Sequence, residues 1–468
     1  MAGIGPATDH PPTSAQVVSA SQRRRGKSAL FLVACGVAGL GPHWLEPGLR
    51  LMPASALALL LGGYSIRTVL VPALSRTRGA GGGESAPFAA GQAEQHAPDP
   101  PAPAVDVVVA ARDEQAVIGR LVEGIARLRY PSDALRLWVI DDGSSDRTPQ
   151  VLAELQADHP FLRVLRREPD AGGGKSGALN LALQHVEAPW MLVLDADADL
   201  QPDTLERLMP LAEGGGWAAV QLRKAVANPD ANWLTRAQAM EMALDTVVQE
   251  GRLSVGGVVE LRGNGQLLRR CALEQVGGFN EDTVTDDLDL SFRLLLHRQP
   301  LGVLWDPPVS EEAVLGLPAL WRQRQRWAEG GLQRFFDYAP GLLSDRLTPG
   351  CKLDLLCFFL LQYVLPVVAV ADLLGALITR SLPTIWPLSF VAFGLSGISI
   401  LQGCRRGGEG PQMPRMHPAN LLLGILYLGH WFLVIPYTTL RMALLPKSLV
   451  WVKTTHLGEE PLDDPAAA

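Results

Sequence analysis

The chain of 468 residues is poor in the features that mark several common protein classes. It carries only five cysteines, Cys35, Cys271, Cys351, Cys357 and Cys404, which are scattered and form no CxxC pair. An odd, dispersed set of this kind argues against a disulfide framework or a zinc cluster and suits a reducing compartment. Basic excess is also missing. The formal net charge is −7, which speaks against a nucleic-acid binder and its usual basic face. There is no internal repeat. The Gly-rich run Gly172-Gly173-Gly174-Lys175-Ser176-Gly177 is not a P-loop, because the glycine that GxxxxGK[ST] needs upstream is absent from Glu168–Asp170. No clear cleavage site follows the first apolar run, and a second run follows at once, so a removed signal peptide is the weaker reading.

Apolar residues, by contrast, make up 47% of the chain. Residues 1–28 are polar, rich in Pro and Ser, and end in Arg23, Arg24, Arg25 and Lys27; they read as a disordered basic N-terminus. Two apolar stretches, 29–45 and 49–66, predict two membrane helices within 29–75, the first one short. Arg67, Arg76 and Arg78 close the second, and both basic flanks are expected on the cytosolic side. Residues 76–104 have the Gly, Ala and Pro content of a linker. Residues 105–345 alternate short apolar runs (VDVVVA, LRLWVID, WMLVLDAD) with helix-like segments. That alternation predicts an α/β domain with a parallel sheet between helices. Within 346–446, stretches at 353–378, 383–403 and 419–440 predict about three further membrane helices. Arg405, Arg406 and Arg415 are expected to be cytosolic, which leaves Arg380 outside. The tail, 447–468, is ambiguous. The count of spans puts it outside, whereas Arg441, Lys447 and Lys453 favour the inside.

Four charged clusters sit where strands should end, and chemistry in open α/β sheets gathers at those ends. They are Arg112-Asp113-Glu114, Asp141-Asp142-Gly143-Ser144, Asp195-Ala196-Asp197 and Thr285-Asp286-Asp287. The Asp141-Asp142 pair can accept hydrogen bonds from a base or ribose. Asp195 and Asp197 offer the hard oxygens that Mg²⁺ or Mn²⁺ prefers, with substrate phosphates as further ligands; a solvated turn or a helix cap is the plainer reading. Lys175 stands at a helix start after three glycines and can neutralise a diphosphate oxygen. A flexible surface loop is the alternative there. Asp287 can take a proton from an acceptor hydroxyl, although Asp286, Asp287 and Asp289 can also simply cap a helix. In the run Trp321–Trp327, Gln323, Arg326 and Trp327 share one helix face. Arg326 suits phosphate and Trp327 suits a sugar ring. Their position just before a membrane segment equally suits an interfacial amphipathic helix.

Taken in order, DDGS, GGKSGALN, DAD, TDD and QRQRW resemble the membrane-bound family 2 glycosyltransferases, which include cellulose, chitin and hyaluronan synthases. The resemblance implies a GT-A fold, a Rossmann-like nucleotide-diphospho-sugar transferase domain, flanked by transmembrane helices. It assigns Glu114, Asp141, Asp142, Lys175, Asp195, Gln323, Arg326 and Trp327 to the donor, and Asp195 and Asp197 to its metal. Asp287 becomes the catalytic base; Gly263, Asn264, Asp286 and Trp327 meet the acceptor. Two departures stand out. TDD replaces the frequent TED, and Arg262-Gly263-Asn264-Gly265 stands where polymerising relatives often carry Cys-Gly-Ser. The second departure puts a polymer acceptor in doubt.

Longer stretches resemble one branch of the family, the cyanobacterial type of lipid glucosyltransferase. They are RKAVANPDANWLTRAQAMEMALDT (223–246), ELRGNGQLLRR (260–270), TDDLDLSFRL (285–294), RQRWAEGGLQRFFDY (324–338) and WVKTTH (451–456). This resemblance implies inverting transfer of glucose from UDP-glucose to 1,2-diacylglycerol, giving β-monoglucosyldiacylglycerol. A lipid acceptor suits the sequence physically, because its hydroxyl stays at the headgroup boundary and an interfacial helix brings the site to it. A processive polysaccharide synthase on the same fold is the alternative, since function lives in the acceptor site. A catalytically dead scaffold would need none of these motifs. Asp372 and His430 fall inside apolar segments, where polar residues are often functional; a place near a helix end, or pairing with each other, would also explain them.

Overall fold

The computed structural model describes residues 14–70 and 102–446. Arg76, Arg78, Lys447, Lys453, the stretch 451–456 and nearly all of the expected linker lie outside the described residues.

The α/β domain is built on a sheet of eight strands: β1 (Val105–Ala111), β2 (Leu135–Asp142), β3 (Leu162–Arg167), β4 (Trp190–Leu194), β5 (Asp199–Leu200), β6 (Ala219–Val226), β7 (Gln266–Arg269) and β8 (Leu301–Glu311). Their spatial order is β3-β2-β1-β4-β7-β6-β8-β5. Strands β3, β2, β1 and β4 run parallel, while β7 is antiparallel to both β4 and β6. Every residue of β1 is buried, as expected for a β-branched run covered on both faces. One face packs against helices Ile118–Ala126, Thr148–Asp158 and Thr204–Gly214, the other against Gly174–Leu183, Arg270–Gln275 and Asp286–Leu296. The expected α/β architecture is therefore present.

Four helices among the described residues are long and apolar enough to cross a membrane: Met52–Leu70, Pro349–Thr379, Trp386–Arg405 and Pro418–Leu444. The first expected span, 29–45, is not one of them. It falls on the end of helix Ser14–Leu40 and the turn Gly41–Trp44, and residues 14–28, expected to be disordered, form the start of that helix. The ends of this segment are nevertheless pinned far apart. Arg24 pairs with Glu329 of the long helix Leu317–Leu343, and His43 Nε2 meets Asp372 Oδ1 at 2.8 Å. Nineteen residues of helix reach roughly 28 Å. Between those points Leu30, Val33 and Val37 are 71%, 63% and 67% exposed. That is an apolar face uncovered by the described residues.

The last of the four helices is broken at Gly429–His430 into Pro418–Leu428 and Trp431–Leu444. Both pieces meet Leu317–Leu343: the Arg324 Nη2 group donates to Tyr427 Oη at 3.1 Å, and Arg441 Nη2 lies 2.7 Å from Glu329 Oε2. Arg441 therefore sits on the same side as the α/β domain. Asp372 does not pair with His430. Besides His43, it accepts from the backbone N–H groups of Thr384 and Ile385 and from the Thr384 hydroxyl, so it closes the loop between two membrane helices.

The domain is joined to the membrane helices mainly through helix Trp233–Ser254, which begins with a capping box of Asn232 and Thr235. Its Gly251 touches the preceding segment directly, since a Cβ there would lie 1.8 Å from Thr68 O. One turn further, the Arg252 guanidinium grips Asp354 (Nη2–Oδ2 2.7 Å, Nε–Oδ2 3.1 Å), which also accepts from Val258 N–H at 2.9 Å and from the Tyr64 hydroxyl at 2.5 Å. Both members of this pair are buried. Removing one partner of such a pair strands the other charge, at about 3–5 kcal/mol. Asp354→Ala should therefore sharply lower the thermal unfolding temperature of the detergent-solubilised protein. Glu206→Ala, which breaks the exposed pair with Arg129, should change stability by only about 0–1 kcal/mol.

Candidate functional site

The register of the parallel strands brings the acidic clusters to one edge of the sheet. Ala111 pairs with Asp141, Val109 with Leu194, and Asp142 with Arg167. Glu114, the Asp141-Asp142 turn and Asp195 therefore leave neighbouring strand ends at the point where the strand order reverses from β1 to β4. Glu114 is buried, and its N–H donates to Thr148 Oγ1 at 2.8 Å. Asp141 Oδ1 accepts from Ser144 N–H at 2.9 Å and shapes the turn. Asp142 pairs with Arg167, which also donates to Gly174 O at 3.1 Å and to Gly172 O. Burial pushes the Asp142 carboxyl up, against the opposing pull of Arg167 and Arg112. Arg167 thus ties the Asp141-Asp142 turn to the glycine run.

Gly172, Gly173 and Gly174 all have positive φ, which places the chain in a form that side chains rarely adopt. Helix Gly174–Leu183 starts directly from them, and Lys175 reaches across to Asp195 (Nζ–Oδ1 2.5 Å). Burial works to lower the Lys175 pKa, but Asp195, Asp286 and Asp287 together outweigh it and hold the ammonium charged. Lys175 is thus the electrostatic link between the DxD segment and the TDD turn. Asp195 is 38% exposed at its side chain. Asp197 is buried and its Oδ2 accepts from Glu312 N–H at 2.9 Å.

The TDD turn opens helix Asp286–Leu296, with all three acidic residues in the first turn. They divide in role. Asp289 is structural, since it accepts from Asn280, Tyr338 and Arg293. Asp286 keeps a buried Oδ2 without a hydrogen-bond partner among the described residues. The Asp287 carboxyl is pushed up to about 6, first by burial and then by the adjacent Asp286, while Leu288 N–H, Lys175 and Arg262 pull the other way. The turn is held from behind by Gly330, where a Cβ would lie 2.0 Å from Thr285 Oγ1. In front of it, a Cβ on Gly263 would lie 3.5 Å from Asp287 Oδ2, so backbone approaches the carboxylate closely.

Asn264 has a different position from the one expected of an acceptor contact. It is fully buried; its Oδ1 accepts from Asp195 N–H at 3.1 Å and its Nδ2 donates to Glu311 Oε2 at 3.1 Å. Its side chain therefore holds the DxD backbone. Sequence reasoning also missed Lys224, which pairs with Glu311 at 2.8 Å and lies 5.5 Å from the Trp327 ring.

Helix Leu317–Leu343 presents Trp327 toward Asp287. Both line one cavity of about 330 Å³, which runs between the domain and the membrane helices. The residue between the expected ones proves central. Arg324 is buried, lies 4.0 Å from the Trp327 ring centroid and pairs with Glu241 Oε2 at 2.5 Å. Glu241 Oε1 accepts from the Trp431 indole at 3.0 Å. Gln323 Oε1 accepts from Arg324 at 3.0 Å. Arg326 makes no ion pair or hydrogen bond among the described residues and is half-buried, so its guanidinium is available to an anion. Asp195 and Lys175 do not line the cavity; the charge of Asp286 and Asp287 on Lys175 connects them to it.

Comparison with known proteins agrees with this geometry. A family description, "Glycosyltransferase like family 2", matches residues 101–330. A β-monoglucosyldiacylglycerol synthase of Synechocystis sp. is 43% identical over 442 residues, covering 93% of this chain and 89% of that protein. A protein of the same description from Trichormus variabilis is 44% identical over 360 residues, covering 76% and 77%. A solved mannosyltransferase of Pyrobaculum calidifontis, in complex with GDP-Man and Mn²⁺, is 22% identical with a TM-score of 0.53, over 83% of this chain and 99% of its own. At that identity it establishes the shared GT-A fold. Identity of 43% across nearly the full length of both chains is a far closer likeness, and with the strand-end carboxylates and the TDD turn in place, the chain belongs to the family 2 glycosyltransferases, in the family of the β-monoglucosyldiacylglycerol synthases.

Proposed function

We propose that the chain transfers glucose from UDP-glucose to 1,2-diacylglycerol, with inversion, at the cytosolic membrane face. The observation that carries this reading is Asp287, a half-buried carboxylate in a wall shared by the catalytic domain and the membrane helices. A water-soluble acceptor would need no such wall. The relatives that are 43% and 44% identical carry the same activity in their names. Arg24, Arg405, Arg406 and Arg415 mark the catalytic side as the basic one, which supports a cytosolic domain.

In this reading Glu114, Asp141 and Asp142 receive the nucleoside, and Lys175 and Arg326 hold the diphosphate. Trp327 flanks the sugar. The acceptor hydroxyl gives its proton to Asp287 while its oxygen attacks the anomeric carbon from the face opposite the diphosphate. The bond to UDP breaks and its electron pair leaves with the diphosphate. Gly263 and Asp286 border the acceptor oxygen, and Asn264 acts indirectly by positioning Asp195.

Among the described residues no group of three or more His, Cys, Asp or Glu side chains could hold a metal ion alone. Asp195 and Asp197 nevertheless fit a divalent ion of the Mg²⁺ or Mn²⁺ type, which takes one or two carboxylates and completes its shell with phosphate oxygens. When bound, it would neutralise charge on the departing diphosphate. A processive polysaccharide synthase has less support, because the matching relatives over most of the chain are lipid glucosyltransferases by name.

The direct test is incubation with labelled UDP-glucose and dioleoylglycerol, followed by mass analysis. One added hexose is expected, and a polymer or no lipid product would refute the reading. Asp287→Asn should reduce transfer by roughly 10²–10⁴-fold with UDP binding retained; wild-type turnover would remove the base assignment. Because the base must be ionised, kcat/KM should fall about tenfold per pH unit below about 6 and level off above it. EDTA should abolish transfer, and added Mg²⁺ or Mn²⁺ should restore it.

A further inference from the structure

The cavity that holds Asp287 and Trp327 does not end at the catalytic domain. Its far part is lined by Val69, Leu361, Leu365, Ala392, Phe393 and Phe432, all from helices long and apolar enough to cross a membrane. The Phe393 and Phe432 rings stack there, with centroids 5.4 Å apart. Both π-helical turns of the described residues, Ile66–Leu70 and Leu360–Val364, contribute to this lining. A π turn interrupts the regular helical ladder and frequently marks a functional site. Two such turns lining one cavity are a second, independent sign of a binding site.

Two polar side chains stand among these apolar residues. Gln362 lies within one π turn and Ser396 on helix Trp386–Arg405, and both line the cavity. Neither side chain makes a hydrogen bond among the described residues, and both are half-buried. A polar group left without a partner in an apolar membrane setting is costly. The Gln362 amide offers two N–H donors and one acceptor, and the Ser396 hydroxyl offers one donor. The complementary ligand is a lipid that carries carbonyl oxygens close to its polar end.

We propose that this membrane half of the cavity binds the acceptor by its ester linkages and acyl chains: the Gln362 amide and the Ser396 hydroxyl donate to the ester carbonyls, and the apolar wall takes the chains. The inference rests on the acceptor reading given above and adds a second recognition point, distant from the reacting hydroxyl. It makes the enzyme selective for diesters over diethers. It also gives a role to the polar residues on these two apolar helices, and to a membrane-side wall that is largely apolar rather than the polar lining a sugar polymer would need.

The test compares dioleoylglycerol with the matching dialkyl ether glycerol, which has the same hydroxyl and chains but no carbonyls. Both are presented in mixed micelles to the full-length chain. The wild type should show the lower KM for the diester. Gln362→Leu should raise the diester KM by roughly threefold to tenfold, leave the diether KM unchanged and leave the UDP-glucose KM unchanged. Ser396→Phe, which fills the cavity, should raise the KM of both lipids without affecting UDP-glucose. Equal effects of Gln362→Leu on both lipids, or no effect of either variant, would overturn the assignment. Absence of product from both lipids in the wild type would instead overturn the underlying acceptor reading, and this inference with it.

Discussion

Four guanidinium–carboxylate contacts hold the α/β domain, helix Leu317–Leu343 and the apolar helices in one register, and the cavity lies between the parts they join. Arg252 grips Asp354, Arg324 grips Glu241, and Glu329 lies between Arg24 and Arg441. Each joins a residue of the domain or of helix Leu317–Leu343 to a residue elsewhere in the chain. Paired charges of this kind contribute little net stability compared with apolar packing, yet they penalise any other register, because a slip strands a charge. Their value here is alignment. They fix the height at which the sheet edge meets the membrane helices, and so fix the cavity between them.

Alignment has a chemical consequence. The cavity wall buries Asp287 beside Asp286, and burial is the main cause of its raised pKa. A carboxylate on an open sheet edge would be a weaker base at neutral pH. The same contacts arrange the aromatic side of the pocket. Glu241 holds Arg324, Arg324 covers the Trp327 ring, and Trp431 closes the set from the final helix. The acidic strand ends are set by the register of the sheet. Lys175 joins the two halves, since it pairs with Asp195 and feels both aspartates of the TDD turn. In the proposed reading, a sugar donor at the strand ends would face a hydroxyl that stays at the membrane.

Much of this was legible in the sequence because it depends on short, local patterns. Strand-end carboxylates follow from apolar runs that stop at an acidic pair, as β1, β2 and β4 do. The TDD turn and the QRQRW helix could be placed for similar reasons. What escaped reading depends on contacts between distant segments. Asn264 looked like an acceptor contact by its place in the chain, but its amide faces the DxD backbone. Helical spacing grouped Gln323, Arg326 and Trp327 on one face and passed over Arg324, whose value comes from Glu241 on another helix. Asp372 and His430 were two plausible partners by composition; the true partner of Asp372, His43, lies 329 residues away. Lys224 was hidden inside a longer stretch of resemblance and Gln362 carries no motif, and only the assembled cavity brings them out.

The central claim is that one cavity unites the reacting carboxylate with the lipid. A structure of the chain in a lipid nanodisc, determined with UDP and dioleoylglycerol bound, tests it most directly. The account predicts the glycerol hydroxyl within about 2.6–3.2 Å of an Asp287 oxygen, with the acyl chains beside Phe393 and Phe432. Lipid bound on another surface, with Asp287 facing only solvent, would contradict it.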